Sequence, residues 1–353
     1  MKKIFILTAF TFLFFVTLCA QIPAGYYDNA AGKTGTALQS ALHNIIKGHN
    51  SVSYNSLYTY MATTDARPDH SVWDMYSDIP GSNPPYVYHY GSNECGNYNS
   101  EADCFNREHS WPKSWFGGEV MPMYSDLFHL YPTDGYVNNR RDNYPYGKVG
   151  SATWTSLNGC KLGSCATTGY SGTVFEPTDA YKGDFARTYF YMSTRYYTED
   201  SGWPGSPMTS GSQLKPWALA MMLQWSSQDP VSTKETDRNN GVYDVQNNRN
   251  PFIDHPEYAQ LIWGDPSAIE DYTLQNLTVY PNPVFEKCTF DLPVVFSGKD
   301  PIITLLSVTG IATRVSIVRN ENHVTMDLSG LASGLYILNV QGSTSYHGMI
   351  IKK

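Results

Sequence analysis

The stretch Asn106-Arg107-Glu108-His109-Ser110-Trp111-Pro112 sets a carboxylate beside an imidazole, just ahead of a proline that should end a strand. Asn138 follows thirty residues after Glu108, within DLFHLYPTDGYVNNRRDNYPY (residues 126–146), a segment that reads as a loop and then a short helix. Hydrolysing a phosphodiester requires a water made nucleophilic, charge compensation at phosphorus and help for the leaving oxygen. One divalent cation supplies the last two, provided the protein holds it with few ligands and leaves room for water and phosphate. Hard cations prefer oxygen ligands, often one or two from protein, so Glu108 and Asn138 are candidate ligands for a single Mg²⁺, Ca²⁺ or Mn²⁺ ion. His109, neutral near pH 7, can take the water's proton. The chain has neither an HExxH pattern nor a thiolate or multi-histidine cluster, which speaks against zinc.

Geometry raises a difficulty. Adjacent residues of a regular strand point to opposite faces, so Glu108 and His109 share one site only if the strand bends there or one of the two roles is wrong. Pro112 makes irregularity the expectation. The cations near this segment, Lys113, Arg140 and Arg141, are candidates for substrate binding, although adjacent arginines ordinarily form a solvated face. Trp111, Trp115 and Phe116 read as core before they read as base-stacking platforms.

The elements that would position these residues are mostly helical. Apolar Leu38, Leu42, Ile45 and Ile46 mark a helix over 34–47. A loop-rich section follows through residue 94, and 147–172 again reads as loop. Helices are predicted over 179–197 and over 215–228, the latter with Pro216 in its first turn. Ser232 and Glu235 form a capping-box signature that opens a third, Thr233–Gln246, and 255–263 closes the region. From Leu277 onward, about seven short alternating runs separated by turn residues predict a small antiparallel β-sandwich. The chain therefore divides into a signal peptide (1–20), an α+β, mostly helical catalytic domain (21–264), a linker (265–276) and a sandwich (277–353).

Composition agrees with export. Met1-Lys2-Lys3 precedes an apolar run to Ala20, the layout of a cleaved secretory signal, with cleavage expected after Ala20. Lipoprotein processing at Cys19 fits less well, because bulky Leu18 precedes it. No other run has the length of a membrane span, so no stable membrane insertion is expected. Beyond Cys19, the spacing of Cys95 with Cys104 and of Cys160 with Cys165 suits two local disulfides in an oxidising compartment, leaving Cys288 over. The net charge of −8 counts mildly against nucleic acid. Across residues 105–150, however, five basic residues balance five acidic ones, and a bound cation would tip that balance positive.

NREHSWP followed by DLFHLYPTDGYVNNRRDNYPYG resembles the endonuclease I family, nucleases of the ββα-metal (His-Me finger) type. The resemblance runs from about residue 24 to 264 and includes FEPTDAYKGDFARTYFYMSTRYY and DPVSTKETDRNNGVYDVQNNRNPFIDHPEYAQLIWG. It implies that His109 is the general base and that Glu108 and Asn138 hold one metal ion. Relatives often have Asp-Leu-His-Asn where this chain has Asp126-Leu127-Phe128-His129, so any role of that first histidine is absent. Some relatives place a phosphate-stabilising arginine between the His strand and the Asn helix. Here only Lys113 lies there, leaving Lys113 and Arg141 as candidates. The final segment resembles a C-terminal sorting domain of type IX secretion, on VYPNP (279–283), LSGLASGLYILNV and the Lys-Lys ending, and so implies the type IX machinery as a partner. The resulting expectation is a secreted, monomeric, sequence-nonspecific endonuclease acting on DNA, with RNA left open. The rivals are a secreted adhesin or glycan-binding protein without catalysis, and a metal-dependent phosphodiesterase or lipase-like hydrolase with a non-nucleic substrate.

Overall fold

The computed structural model describes residues 22–264, 275–292, 302–307, 312–313, 315–341 and 345–353. The expected signal peptide and residues 265–274 of the expected linker lie outside them. The chain forms two compact units, Met1–Gly264 and Asp265–Lys353.

In the first unit, α1 (Gly35–Ile46) and α2 (Leu57–Thr64) precede a two-stranded ribbon, β1 (Phe105–His109) with β2 (Leu130–Asp134). The pairing is antiparallel and regular, with Phe105 opposite Asp134, Glu108 opposite Tyr131 and His109 opposite Leu130. β2 runs straight into α3 (Gly135–Arg141). Asp134 makes this junction sharp. Its side chain accepts from Val137 N at 2.9 Å, capping the helix, and also takes the Tyr88 hydroxyl (2.6 Å) and the Ala102 amide (2.9 Å). Gly135 is needed just after it, because a Cβ there would stand 2.6 Å from Cδ1 of Tyr98.

The segment expected as loop over 147–172 instead contains two strands, and a third follows it. β3 (Val149–Thr155), β4 (Lys161–Cys165) and β5 (Thr173–Glu176) form three antiparallel strands in that order. This overturns the second expected disulfide. Cys160 and Cys165 are free, and Cys95–Cys104 is the bond that forms. The KLGSC segment is extended, and at about 3.3 Å per residue its ends stand much farther apart than the roughly 7 Å a disulfide spans.

α4 (Lys182–Arg195) is the central helix, buried on every side from Gly183 to Arg195. It packs against α1 and against α5 (Pro216–Gln228), with the short ribbon β6 (Thr209–Ser210) and β7 (Gln213–Leu214) between α4 and α5 in sequence. Such a helix must pair its polar groups. Arg187 does so with both oxygens of Glu235, and Tyr191 donates to Asp126. Glu235 belongs to α6 (Thr233–Gln246), whose capping box with Ser232 is present. α7 (Pro251–Asp254) and α8 (Tyr258–Trp263) close the unit.

The second unit contains β8 (Gln275–Asn276), β9 (Lys287–Asp291), β10 (Ile302–Ser307), β11 (Ala312–Thr313), β12 (Ser316–Asn320), β13 (His323–Asp327), β14 (Gly334–Gln341) and β15 (Ser345–Lys352). They form two sheets, ordered β11-β10-β14-β15-β8 and β12-β13-β9. Leu338 and Ile350 from one sheet and Phe290, Val324 and Met326 from the other share a single apolar core. Two expectations change here. Residues 275–276, expected in the linker, pair as a strand, and they do so parallel to β15, so the sandwich is not wholly antiparallel. The LTVYPNP run contributes an isolated bridge, Tyr280 to Thr289, in place of a strand.

Candidate active site

A cleft of about 230 Å³ opens where β1 meets α3, lined on the strand side by residues 106–109 and on the helix side by Asn138, Asn139, Arg141 and Asp142. Four consecutive strand residues can line one cleft only at a strand edge, where side chains from both faces reach around. β1 pairs with β2 along its other edge. The expected bend is therefore absent. The strand is regular through His109, and residues 106–109 all line the cleft.

Glu108 faces inward. Its Oε1 accepts from the Tyr76 hydroxyl (3.0 Å) and from Nη1 of Arg141 (2.9 Å). Burial pushes the carboxyl up to about 7, against the opposing pull of the Arg141 guanidinium and the Tyr76 hydroxyl. Its Oε2 accepts no hydrogen bond among the described residues. Asn138 lies one turn before the end of α3, and its Nδ2 donates to Oδ1 of Asn106 at 2.7 Å. That bond leaves the Asn138 Oδ1 open. Asn106 is a site residue that the sequence reading missed, although its place two positions before Glu108 put both on one strand face.

His109 lies on the opposite face with Arg107. Its Nε2 sits 3.0 Å from the Tyr124 carbonyl, an acceptor, so this nitrogen carries the proton and the Nδ1 lone pair is left free. The ring is nearly parallel to those of Tyr124 (5.3 Å, 14°) and Tyr54 (5.9 Å, 8°). Burial, and then the neighbouring His129, hold the imidazole well below its ordinary 6.5. His129 is itself buried, with Nε2 donating to the Met123 carbonyl at 2.7 Å.

The three candidate cations fall in different places. Arg141 is 1% exposed, and it ties Glu108 Oε1, the His109 and Ser110 carbonyls and the Tyr189 hydroxyl together. It is an internal clamp between α3 and β1 and lacks the freedom to meet a phosphate. Arg140 is exposed, donates to the Tyr136 hydroxyl at 2.7 Å and does not line the cleft. Lys113 lines it but is paired with Glu119 at 3.1 Å. Trp111, Trp115 and Phe116 are buried core, as their composition suggested.

Residues 34–257 match the family model described as Endonuclease I. The chain belongs to the Endonuclease I family. An extracellular ribonuclease of Bacillus amyloliquefaciens is 38% identical over 245 residues, covering 67% of this chain and 78% of that protein. An Endonuclease-1 of Buchnera aphidicola subsp. Baizongia pistaciae is 31% identical over 130 residues (36% of this chain, 46% of that protein). An extracellular deoxyribonuclease of Aeromonas hydrophila is 29% identical over 136 residues (38% and 52%). Residues 278–353 match the model described as a secretion system C-terminal sorting domain. This endonuclease I protein is thus a secreted nuclease, and family membership counts against the adhesin reading. Among the described residues no helix is long and apolar enough to cross a membrane, and no three His, Cys, Asp or Glu side chains cluster as a metal site.

Proposed function

We propose that the endonuclease hydrolyses phosphodiester bonds of nucleic acid without sequence preference, using one divalent cation held by Glu108 and Asn138 and His109 as general base. The observation that carries this reading is the convergence, in one cleft, of two unpartnered oxygen donors and an imidazole whose Nδ1 lone pair is free. The donor set fits a hard cation, since one carboxylate and one carboxamide oxygen leave most coordination positions to water and phosphate. On this reading β1, β2 and α3 form the ββα-metal module.

When bound, the cation would polarise the phosphate and stabilise the departing oxygen. The chain's own groups do the rest. The Tyr124 carbonyl fixes the His109 tautomer, and Nδ1 takes the proton of the attacking water as its oxygen bonds to phosphorus. The leaving oxygen departs opposite with the electron pair and is protonated from solvent. Tyr76 and Arg141 hold the Glu108 carboxylate through Oε1, and Oε2 is the oxygen left to meet the cation. The relatives' names include both ribonucleases and deoxyribonucleases, and the reading takes in both polymers. The sorting domain is read as the contact with the type IX machinery, and the enzyme as a monomer.

Plasmid and single-stranded RNA incubated with the purified protein and Mg²⁺, with and without chelator, test this. Cleavage should require the ion. Glu108→Ala and Asn138→Ala should each lose at least about 10-fold in metal affinity or activity, on the scale of damage to a metal's ligand sphere. Normal cutting by both variants with an unchanged Mg²⁺ titration would place the site elsewhere.

A further inference from the structure

We infer that Arg107 is the residue whose guanidinium contacts the non-bridging oxygens of the scissile phosphate, an assignment that rests on the nuclease reading above. Three cations line the cleft: Arg107, Lys113 and Arg141. Arg141 is buried with both Nη atoms on interior acceptors, and Lys113 is exposed and paired with Glu119. Arg107 differs from both. Its Nη1 donates to the Tyr54 carbonyl at 2.8 Å, and among the described residues no carboxylate lies within ion-pair distance of it. Its Cζ sits 4.0 Å from the Tyr54 ring centre and 4.5 Å from that of Tyr58.

Aromatic contacts cover the faces of a guanidinium and leave its edge N–H groups for an anion. The stack thus fixes the plane of Arg107 and preserves its charge, with no counter-ion for a phosphate to displace. Position agrees with this. Arg107 and His109 are two apart on a regular strand and share a face, and the Tyr54 ring that packs on Arg107 is also parallel to the His109 ring. Base and cation are therefore set by one aromatic layer, on the face of β1 opposite Glu108 and Asn106. A phosphate held between the faces would meet the attacking water and the guanidinium from one side and the cation from the other. Charge on the non-bridging oxygens grows as the water attacks, and a pre-positioned fork of donors stabilises that state most.

The test compares full-length wild type, Arg107→Gln, Arg107→Lys and His109→Ala on a short oligonucleotide with Mg²⁺, alongside their thermal midpoints. Arg107→Gln should lower kcat about 100-fold or more, the scale of losing one transition-state donor, while KM changes less than about 3-fold, as expected of a contact made mainly in the transition state. Arg107→Lys should recover only part of the rate, because a point charge lacks the planar fork. Millimolar guanidinium should partly restore Arg107→Gln and leave His109→Ala unchanged. Replacing a non-bridging oxygen of the scissile linkage with sulfur should slow the wild type more than Arg107→Gln. If Arg107→Gln keeps its kcat, the inference is overturned. It is equally overturned if the loss tracks a lowered thermal midpoint, resists guanidinium and leaves the sulfur effect intact, since Arg107 would then only support Tyr54. A wild type that fails to cut would instead overturn the nuclease reading itself.

Discussion

A backbone atom, the Tyr124 carbonyl, decides which nitrogen of His109 can act as a base. Burial and His129 then decide when it is available, by holding the imidazole well below 6.5. The sign follows from the chemistry. Only neutral imidazole accepts a proton, so a lowered value extends the active range toward acid. An unperturbed imidazole would give a rising limb near 6.5; the environment of His109 moves that limb lower. The expected kcat profile is flat with respect to His109 from pH 6.5 to 8 and falls only below 6.5. His109→Ala should lose about 10²–10⁴-fold in kcat with little shift in the Mg²⁺ midpoint. An acid limb centred above 6.5 that disappears in His109→Ala, or recovery of the variant at high Mg²⁺, would contradict the assignment; a limb near 7 that persists in the variant belongs to Glu108, whose carboxyl burial holds at about 7. That Glu108, His109 and Asn138 line one cleft was legible because the NREHSWP and VNNRR segments together resemble a known family. Tyr54, Tyr76 and Tyr124 were not, because each reaches the site from a distant segment and nothing in the local pattern of a tyrosine reports where its ring will pack.

At the scale of elements, the turn from β2 into α3 is the tightest constraint on the site, since it places Asn138 against Asn106. Gly135→Ala offers a check. Alanine in a helix is favoured by up to about 1 kcal/mol over glycine, but the added carbon would meet Tyr98 at 2.6 Å and Asn106 Nδ2 at 3.3 Å, and overpacking costs about 1–3 kcal/mol. The contact should win. Urea unfolding should show net destabilisation, with activity falling as Tyr98 or α3 shifts; an equal or higher midpoint with full activity would refute it. α6 was legible to its ends because Ser232 and Glu235 are a capping box with a chemical cause. β3 was not, because most of its residues are exposed on both faces, which erases the alternation that marks a half-buried strand. α2 was missed for a related reason: LYTYMATT is a single short run in which threonines dilute the helical period.

At the scale of the molecule, the proposed site residues all lie in Met1–Gly264, and the second unit has its own core. A protein ending at Gly264 should fold and cut at a rate within about 3-fold of the full chain, well inside the roughly 10-fold that 1.4 kcal/mol represents, while losing export from the native host. A well-folded but inactive shortened protein would sink this division. Acid stability should depend on Asp126, which joins three regions by accepting from Tyr191 and Tyr196 of the α4 segment, Gln246 of α6 and its own Phe128 amide. Burial alone would raise its carboxyl, but His49, His129 and these donors bring it down to about 2. A depressed acid contributes stability above its unfolded value, about 3.9, and loses it as pH falls toward 2. Asp126→Asn should therefore be less stable at neutral pH and show a flatter loss between pH 4 and 2 in thermal melts.

The Arg141 clamp has a consequence for motion. One guanidinium holds the carboxylate of Glu108, two carbonyls at the end of β1 and a hydroxyl on α4. Opening α3 alone would withdraw a buried guanidinium from all of them, at a cost that grows with each bond lost. The helix, the strand end and the central helix thus share a single free energy of local opening. Backbone amides along all three should exchange with solvent as one cooperative group, slow and matched, leaving fraying to the surface hairpin of β3 and β4.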